Sequence, residues 1–225
     1  MAKTKIKILM TDDHPMIIEG YQNTLLSTKK ADQELEIDTA NNCDQSLTAM
    51  ANSIAKGEPY DVLFIDIKMP PSKDGKFNSG EDLALHARQI LPNAKIVILT
   101  MFNETYRIHN IVEQIQPEGF LIKSDLTSSE LASAFQVILT SPPFYSGTVA
   151  KYLKQTLIND INLDDKNRKI LYLLSQGVKT KNLAEHVDLS LSAIEKRKKQ
   201  LKMIFAVEDG QDETLLYEAK RLGLI

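Results

Sequence analysis

Four short apolar runs in this chain of 225 residues each lead into a group that can do chemistry. Ile6-Lys7-Ile8-Leu9-Met10 runs on to Asp12-Asp13, and Asp61-Val62-Leu63-Phe64-Ile65 closes on Asp66. Ile96-Val97-Ile98-Leu99 ends in Thr100, and Gly119-Phe120-Leu121-Ile122 ends in Lys123. As buried neighbours in a parallel sheet, these runs deliver three carboxylates, a hydroxyl and an ammonium to one carboxyl edge. Open α/β sheets carry their ligands at that edge. Phosphorylating a carboxylate sets one anion against another, so the site must neutralise charge. A hard divalent cation does this, and Mg2+ takes carboxylates, phosphate oxygens and water in an octahedron. The set describes Asp66 attacking a phosphoryl group in line, with metal held by Asp13 and Asp66 and by Asp12 directly or through water. Lys123 would balance charge on the phosphoryl oxygens and Thr100 would donate its hydroxyl to one of them. Singly, each residue has a plainer reading: an isolated Asp12 or Asp13 is a helix N-cap, Thr100 a strand end, Lys123 a surface charge. Their joint order carries the argument.

The elements that must position these groups alternate. Strands are expected over 5–10, 35–40, 61–66, 95–100 and 118–122, with helices over 15–28, 44–56, 79–91, 104–115 and 127–140. That is the pattern of an α/β fold, a doubly wound five-stranded parallel sheet, and right-handed crossovers give strand order 2-1-3-4-5. Thr127-Ser128-Ser129-Glu130 offers the last helix an N-cap with glutamate three residues on. Ser141-Pro142-Pro143 ends that helix, a short helix is expected over 147–157, and Asn159-Asp160-Ile161-Asn162 reads as a polar linker. From Leu163 the pattern changes to four short helices, about 165–175, 180–186, 191–205 and 212–221, with Gly177 and Gly210 at the breaks. The expected domains are 1–140, a linker with its short helix over 141–162, and an all-α domain over 163–225.

Composition agrees with two soluble domains of different charge. The net charge is −3, but residues 163–225 carry 12 Lys/Arg against 10 Asp/Glu while the rest carries 15 against 20. The excess base concentrates in Glu195-Lys196-Arg197-Lys198-Lys199-Gln200-Leu201-Lys202. One cysteine, Cys43, excludes an internal disulfide and fits a reducing compartment. No run reaches the length of a signal-peptide core or a membrane span, so a cytoplasmic protein without membrane contact is expected.

Asp12-Asp13-His14-Pro15, Asp66-Ile67-Lys68-Met69-Pro70, Thr100 and Gly119 to Lys123, in that order, resemble a receiver domain of two-component response regulators over roughly the first 140 residues. The resemblance implies a sensor histidine kinase or a small phosphodonor as the source of the phosphoryl group, with the backbone carbonyl of Lys68 as the third protein ligand to the metal. It also implies a switch in which Thr100 moves toward the phosphoryl group and Phe120 turns inward behind it, between states that phosphorylation biases. His14 opens a helix beside Pro15, where receivers often carry a non-catalytic residue. His86, His109 and His186 have no metal-ligand spacing. The chain departs from the usual receiver after Asp66: residues 71–79 lengthen the loop, and Gly80 rather than Gly75 stands at the right distance from Pro92. The insertion is either a tolerated surface loop or a lid or partner-specificity element.

Gly177-Val178-Lys179-Thr180-Lys181-Asn182-Leu183-Ala184, Val187-Asp188-Leu189-Ser190 and Ala193-Ile194 read as helix, turn, helix. With the terminal Gly223-Leu224-Ile225, residues 160–225 resemble the output domain of the NarL/LuxR class. The implied partner is double-stranded DNA, met by a homodimer that forms on phosphorylation, with the second helix of the motif in the major groove. Glu195, Lys196, Lys198, Lys199 and Lys202 lie on that helix, while Thr180 and Lys181, at the preceding helix start, suit phosphate. Ala193, Ile194, Leu201 and Phe205 recur at helical spacing and should face the core, with Arg197 near that seam. Glu195 stands where the class commonly has lysine. It either accepts from cytosine and alters the preferred sequence, or pairs with Lys199 one turn on. Lys166-Asn167 replaces a usual Arg-Glu pair, and Arg197 a frequent histidine.

Two other readings stay open. The C-terminal helices could be an adaptor that binds protein rather than DNA. An aspartate-nucleophile phosphatase would need a general acid two residues after the nucleophile, where Lys68 stands, so no enzyme is expected. A nucleotide-binding fold fails because Thr11-Asp12-Asp13-His14 offers no glycine-rich phosphate cradle.

Overall fold

Continuous apolar runs become strands here because both faces of the sheet are covered. The computed structural model describes residues 3–101, 105–158 and 163–225. The polar stretch 159–162 lies outside the described residues. Chain contacts divide the protein into two compact units, residues 1–102 with 111–149, and residues 103–110 with 150–225.

In the first unit, strands β1 (Thr4–Thr11), β2 (Gln33–Ala40), β3 (Val62–Asp66), β4 (Lys95–Thr100), β5 (Gly119–Ile122) and β6 (Phe144–Tyr145) form one parallel sheet in the order β2-β1-β3-β4-β5-β6. The expected order of the first five holds. The sheet has six strands rather than five, because past Pro142-Pro143 the chain returns to the open edge. There Phe144 N donates to Glu118 O (2.9 Å) and Ser146 N to Phe120 O (2.9 Å). A two-residue strand leaves no periodicity in the sequence to read.

Helices α1 (Pro15–Thr28) and α5 (Ser128–Thr140) cover one face, closing a core of Ile8, Met10, Phe64, Val97, Leu99 and Leu121 against Leu25, Leu131, Phe135 and Ile138. Helices α2 (Cys43–Ala55) and α3 (Gly80–Ile90) lie on the other face. α4 (Thr105–Ile115) precedes β5, and α6 (Gly147–Ile158) follows β6. Helix starts follow their caps. Asn42 accepts from Gln45 N, Ser79 from Glu81 N, and Thr127 and Glu130 cap each other's backbone N–H as their spacing predicts.

In the second unit, α7 (Asp165–Ser175), α8 (Leu191–Ile204) and α9 (Asp212–Arg221) bury Ile170, Leu171, Leu174, Ile194, Leu201, Phe205, Leu215 and Leu224 in one cluster. The segment expected as a helix over 180–186 is a 3-10 helix, Thr180–Glu185. Only six residues separate its uncapped start at Lys179 from His186, too few to repay nucleation of an α-helix, so the tighter turn suffices to bury Leu183. Gly177 ends α7 at φ +80°, a left-handed conformation that glycine takes without penalty.

Candidate functional site

The register of the sheet fixes the acidic pocket. β1 lies between β2 and β3, and Asp66 pairs with Leu99 across β3 and β4, one residue before Thr100. Strand ends so aligned put the loop after β1, the end of β3 and the end of β5 side by side. Lys123 Nζ bridges two of the acids, donating to Asp12 Oδ2 (2.6 Å) and Asp66 Oδ2 (2.9 Å). The three side chains are almost sealed, at 4%, 2% and 3% exposure for Lys123, Asp12 and Asp66. Lys68 N donates to Asp66 Oδ1 (3.3 Å), so the contact seen for Lys68 is through its N–H. Thr100 and Phe120 are fully buried and share a sheet face, since Ile98 pairs with Phe120 and Thr100 with Ile122.

Burial is the largest influence on Asp66 and pushes its carboxyl up. Lys123 opposes this, Asp12 adds to it, and the carboxyl stays above its ordinary value. Tyr21 is pushed up to about 12 by burial and then by the charges of Asp12 and Asp66. Three acidic side chains thus gather around a single lysine.

The donors fit a divalent cation. Ligand atoms of Asp12, Asp13, His14 and Asp66 lie within 4.8 Å of one another. Asp13 Oδ1 is buried and accepts no hydrogen bond, although His14 Nδ1 stands 2.8 Å away. A buried carboxylate oxygen left without a donor is costly, and a hard cation would satisfy it. His14 is the residue that sequence reasoning set aside. Its backbone N donates to Asp12 Oδ1 (3.0 Å) and its ring Nδ1 lies 3.1 Å from the same oxygen. The turn after Asp13 brings it there, and adjacency to the acid pair was the only signal.

The 71–79 insertion is internally bonded rather than loose. Ser72 N donates to Phe77 O (2.7 Å), Ser72 Oγ bonds Asp74 (2.6 Å), and Asn78 N donates to Asp82 (2.7 Å). Phe77 stacks edge-on against His86 with centroids 5.2 Å apart. Gly80 then passes so close to β3 that a Cβ there would stand 1.9 Å from Asp66 O. Glycine is obligatory at this crossing, and Gly80 does open α3 as the distance to Pro92 indicated.

At the second candidate surface, Ser190 caps α8 by accepting from Ala193 N, and Ile194 and Leu201 are buried while Glu195, Lys196 and Lys199 are exposed. Thr180, Glu195, Lys198, Lys199 and Lys202 line one shallow depression; Lys181 and Lys196 are exposed outside it. Lys198 Nζ donates to Thr180 Oγ1 (2.6 Å) and Asp212 Oδ2 (2.5 Å), and Lys202 Nζ lies 2.6 Å from Asp212 Oδ1. Glu195 does not pair with Lys199; among the described residues no ion pair joins them. Arg197 holds the start of α7, donating to Asp164 Oδ2 (2.7 Å) and Asn167 Oδ1 (3.0 Å). The Arg-Glu departure at Lys166-Asn167 is thus absorbed locally, with Lys166 Nζ donating to Asp188 O (3.1 Å).

No protein-family model matches the chain. Transcriptional regulatory protein MctR of Rhizobium johnstonii is 25% identical over 202 residues, 89% of this chain and 87% of that protein. Oxygen regulatory protein NreC of Staphylococcus carnosus is 22% identical over 205 residues, 86% of this chain and 88% of that protein. Among solved structures, RcsB of Salmonella enterica serovar Typhimurium, bound to a promoter in the presence of a beryllofluoride phosphomimetic, superposes with a TM-score of 0.62 at 23% identity. That match covers 96% of this chain and 98% of the RcsB chain. In sequence and in fold, the chain is similar to response regulators of the NarL/LuxR type.

In such a regulator the receiver is the α/β unit and the output module the helical one. The described receiver and output module contain no helix long and apolar enough to cross a membrane. The likeness extends along nearly the whole chain.

Proposed function

We propose that the protein is a phosphorylation-controlled DNA-binding transcription regulator in which Asp66 accepts a phosphoryl group from the phosphohistidine of a sensor kinase. The observation that carries this reading is Lys123 Nζ bridging Asp12 and Asp66 at 2.6 and 2.9 Å beside the buried Oδ1 of Asp13, which accepts no hydrogen bond. Asp13, Asp66 and Asp12, with the Lys68 carbonyl, would hold Mg2+, which supplies positive charge to the phosphoryl oxygens and to the attacking carboxylate. Asp66, kept oriented by Lys68 N–H and Lys123, presents an oxygen for in-line attack. Lys123 then shifts its hydrogen bonds from carboxylate to phosphoryl oxygen, and the Thr100 hydroxyl donates to another. Phe120, already buried on the face it shares with Thr100, supports a packing switch between these two positions. The functional units are the receiver at 1–140, a linker at 141–162 and the helix-turn-helix module at 163–225.

For the output, α8 would enter the major groove, with Lys196, Lys199 and Glu195 toward base edges and Thr180 and Lys181 toward phosphate. Two copies on half-sites one helical turn apart form the expected complex, in keeping with a structural neighbour described as two RcsB dimers bound to two parallel DNAs. A protein-binding output is the second reading, favoured by the engagement of Lys198 and Lys202 with Asp212. Selection from random genomic fragments, with and without Mg2+ and beryllofluoride, tests both. Enrichment of a two-fold site, stronger with the mimic, is the expected result. No enrichment in either state would assign the output to protein partners.

A further inference from the structure

The basic helix is partly neutralised from inside its own module. Asp212, the first residue of α9, places one carboxylate oxygen on Lys198 and the other on Lys202, and Thr180 Oγ1 completes the ring around Lys198. The side chains are 12%, 21% and 33% exposed for Lys198, Lys202 and Asp212, so these pairs are screened less than a surface pair. Burial alone would raise the Asp212 carboxyl; the hydrogen bonds and charges of Lys198 and Lys202 outweigh it and hold the group below its ordinary value. Two ammonium groups clasping one carboxylate make the arrangement that such groups also offer a phosphate. Lys202 also donates to Gly210 O (2.5 Å), which ties it to the loop that leads into Asp212.

We propose that Asp212 is an internal counter-anion of α8, competing with the DNA backbone for Lys198 and Lys202 and so setting how strongly, and with what salt dependence, the module binds duplex DNA. The proposal rests on the DNA-binding reading above. With Asp212 in place the cationic groups of α8 open to a polyanion are Lys196 and Lys199, both exposed. Engaging the other two requires giving up the internal pairs. Sequence-independent affinity is thereby held down, which widens the ratio between a cognate site and bulk DNA.

The test is binding of the full chain to random-sequence duplex DNA across about 50–200 mM salt, a range over which phosphate contacts dominate. Asp212→Asn should bind about tenfold tighter at the low end, with a log–log salt slope steeper by about 0.9 to 1.8, corresponding to one or two further phosphates neutralised. Asp212→Glu, which keeps the charge, should retain the wild-type slope. Glu213→Gln removes the same charge from the same helix start without touching either lysine and should change affinity less than about twofold. The gain of Asp212→Asn should vanish when Lys198→Gln and Lys202→Gln are added. An unchanged slope in Asp212→Asn, or a gain that survives loss of both lysines, would overturn the proposal. No binding by either wild type or Asp212→Asn at the lowest salt would overturn the DNA reading itself, and this proposal with it.

Discussion

The two units of this protein carry charge clusters of opposite composition. In the receiver, one ammonium, Lys123, is shared by two buried carboxylates with a third beside them. In the helical module, one carboxylate, Asp212, is shared by two ammonium groups. Each leaves a surplus, negative in the first and positive in the second, and each surplus has the sign that recruits the module's proposed ligand. The difference lies in burial. The receiver cluster is almost sealed, so its surplus is costly and demands a compact cation. The α8 cluster is half open, and its surplus suits a polyanion that approaches from solvent.

Breaking the receiver side should give the largest effect. Asp66→Asn removes the proposed acceptor, and phosphate-affinity electrophoresis after treatment with acetyl phosphate and Mg2+ should show complete loss of the shifted band. A shifted band of wild-type intensity would move the acceptor elsewhere. Next, Lys123→Gln leaves Asp12 and Asp66 facing each other without a counter-charge; breaking a buried pair in this way should cost about 3 kcal/mol in urea unfolding of the first unit. Added Mg2+ should recover part of the loss, and indifference to Mg2+ would remove the argument that the acids wait for a cation.

In the helical module the effects should be smaller. Arg197→Ala frees Asp164 and Asn167 at the start of α7 and should cost roughly 1 kcal/mol, discounted for the exposure of Asp164, with little change in DNA affinity. A large drop in affinity with unchanged stability would instead put Arg197 on the DNA. The smallest effect is a pH dependence of opposite sign in the two clusters. Asp66 has a raised pKa, so its ionised form costs stability at neutral pH, and that cost fades as pH falls through the raised value. Asp66→Asn should therefore be more stable than wild type at pH 7, with the gap closing in acid. Asp212 has a lowered pKa, so its contribution is present above the ordinary value of 3.8 and lost as pH falls through the lower, folded one. Asp212→Asn should be slightly less stable than wild type at pH 7, and that gap should close only in stronger acid. Melting curves of the three proteins from pH 7 to about pH 3 give both signs in one experiment.

Much of this arrangement was legible in the residues. Strands buried on both faces leave continuous apolar runs, and the polar residue that ends each run marks the edge where ligands bind, so the pocket could be read from Asp12, Asp66, Thr100 and Lys123. Thr127 and Glu130 announced their helix because a capping box is wholly local. What escaped depends on distant partners. β6 is two residues long and exists because β5 offered an open edge. His14 sits against the acids because of a turn, not a spacing. Asp212 reads as an ordinary acid opening a helix, and nothing local says that Lys198 and Lys202, more than a dozen and ten residues earlier, close upon it. Glu195 pairing with Lys199 was an i,i+4 rule that failed, since Lys199 remains turned to solvent.

The glycine that closes the long loop makes that loop useful to the experimenter. Gly80 locks one end against Asp66 O, and the hydrogen bonds of Ser72 with Phe77 lock the other, so the exposed tip at Lys73 to Lys76 hangs from a fixed frame beside the pocket. The protein contains no tryptophan. A single indole placed at Lys76 would be its sole strong fluorophore, on a loop whose closing glycine stands against the backbone of Asp66, with no pocket residue altered. Loading of the acceptor with acetyl phosphate and Mg2+ should change its emission, without radioactive label or partner protein, and an unchanged spectrum would show that the loop does not sense Asp66.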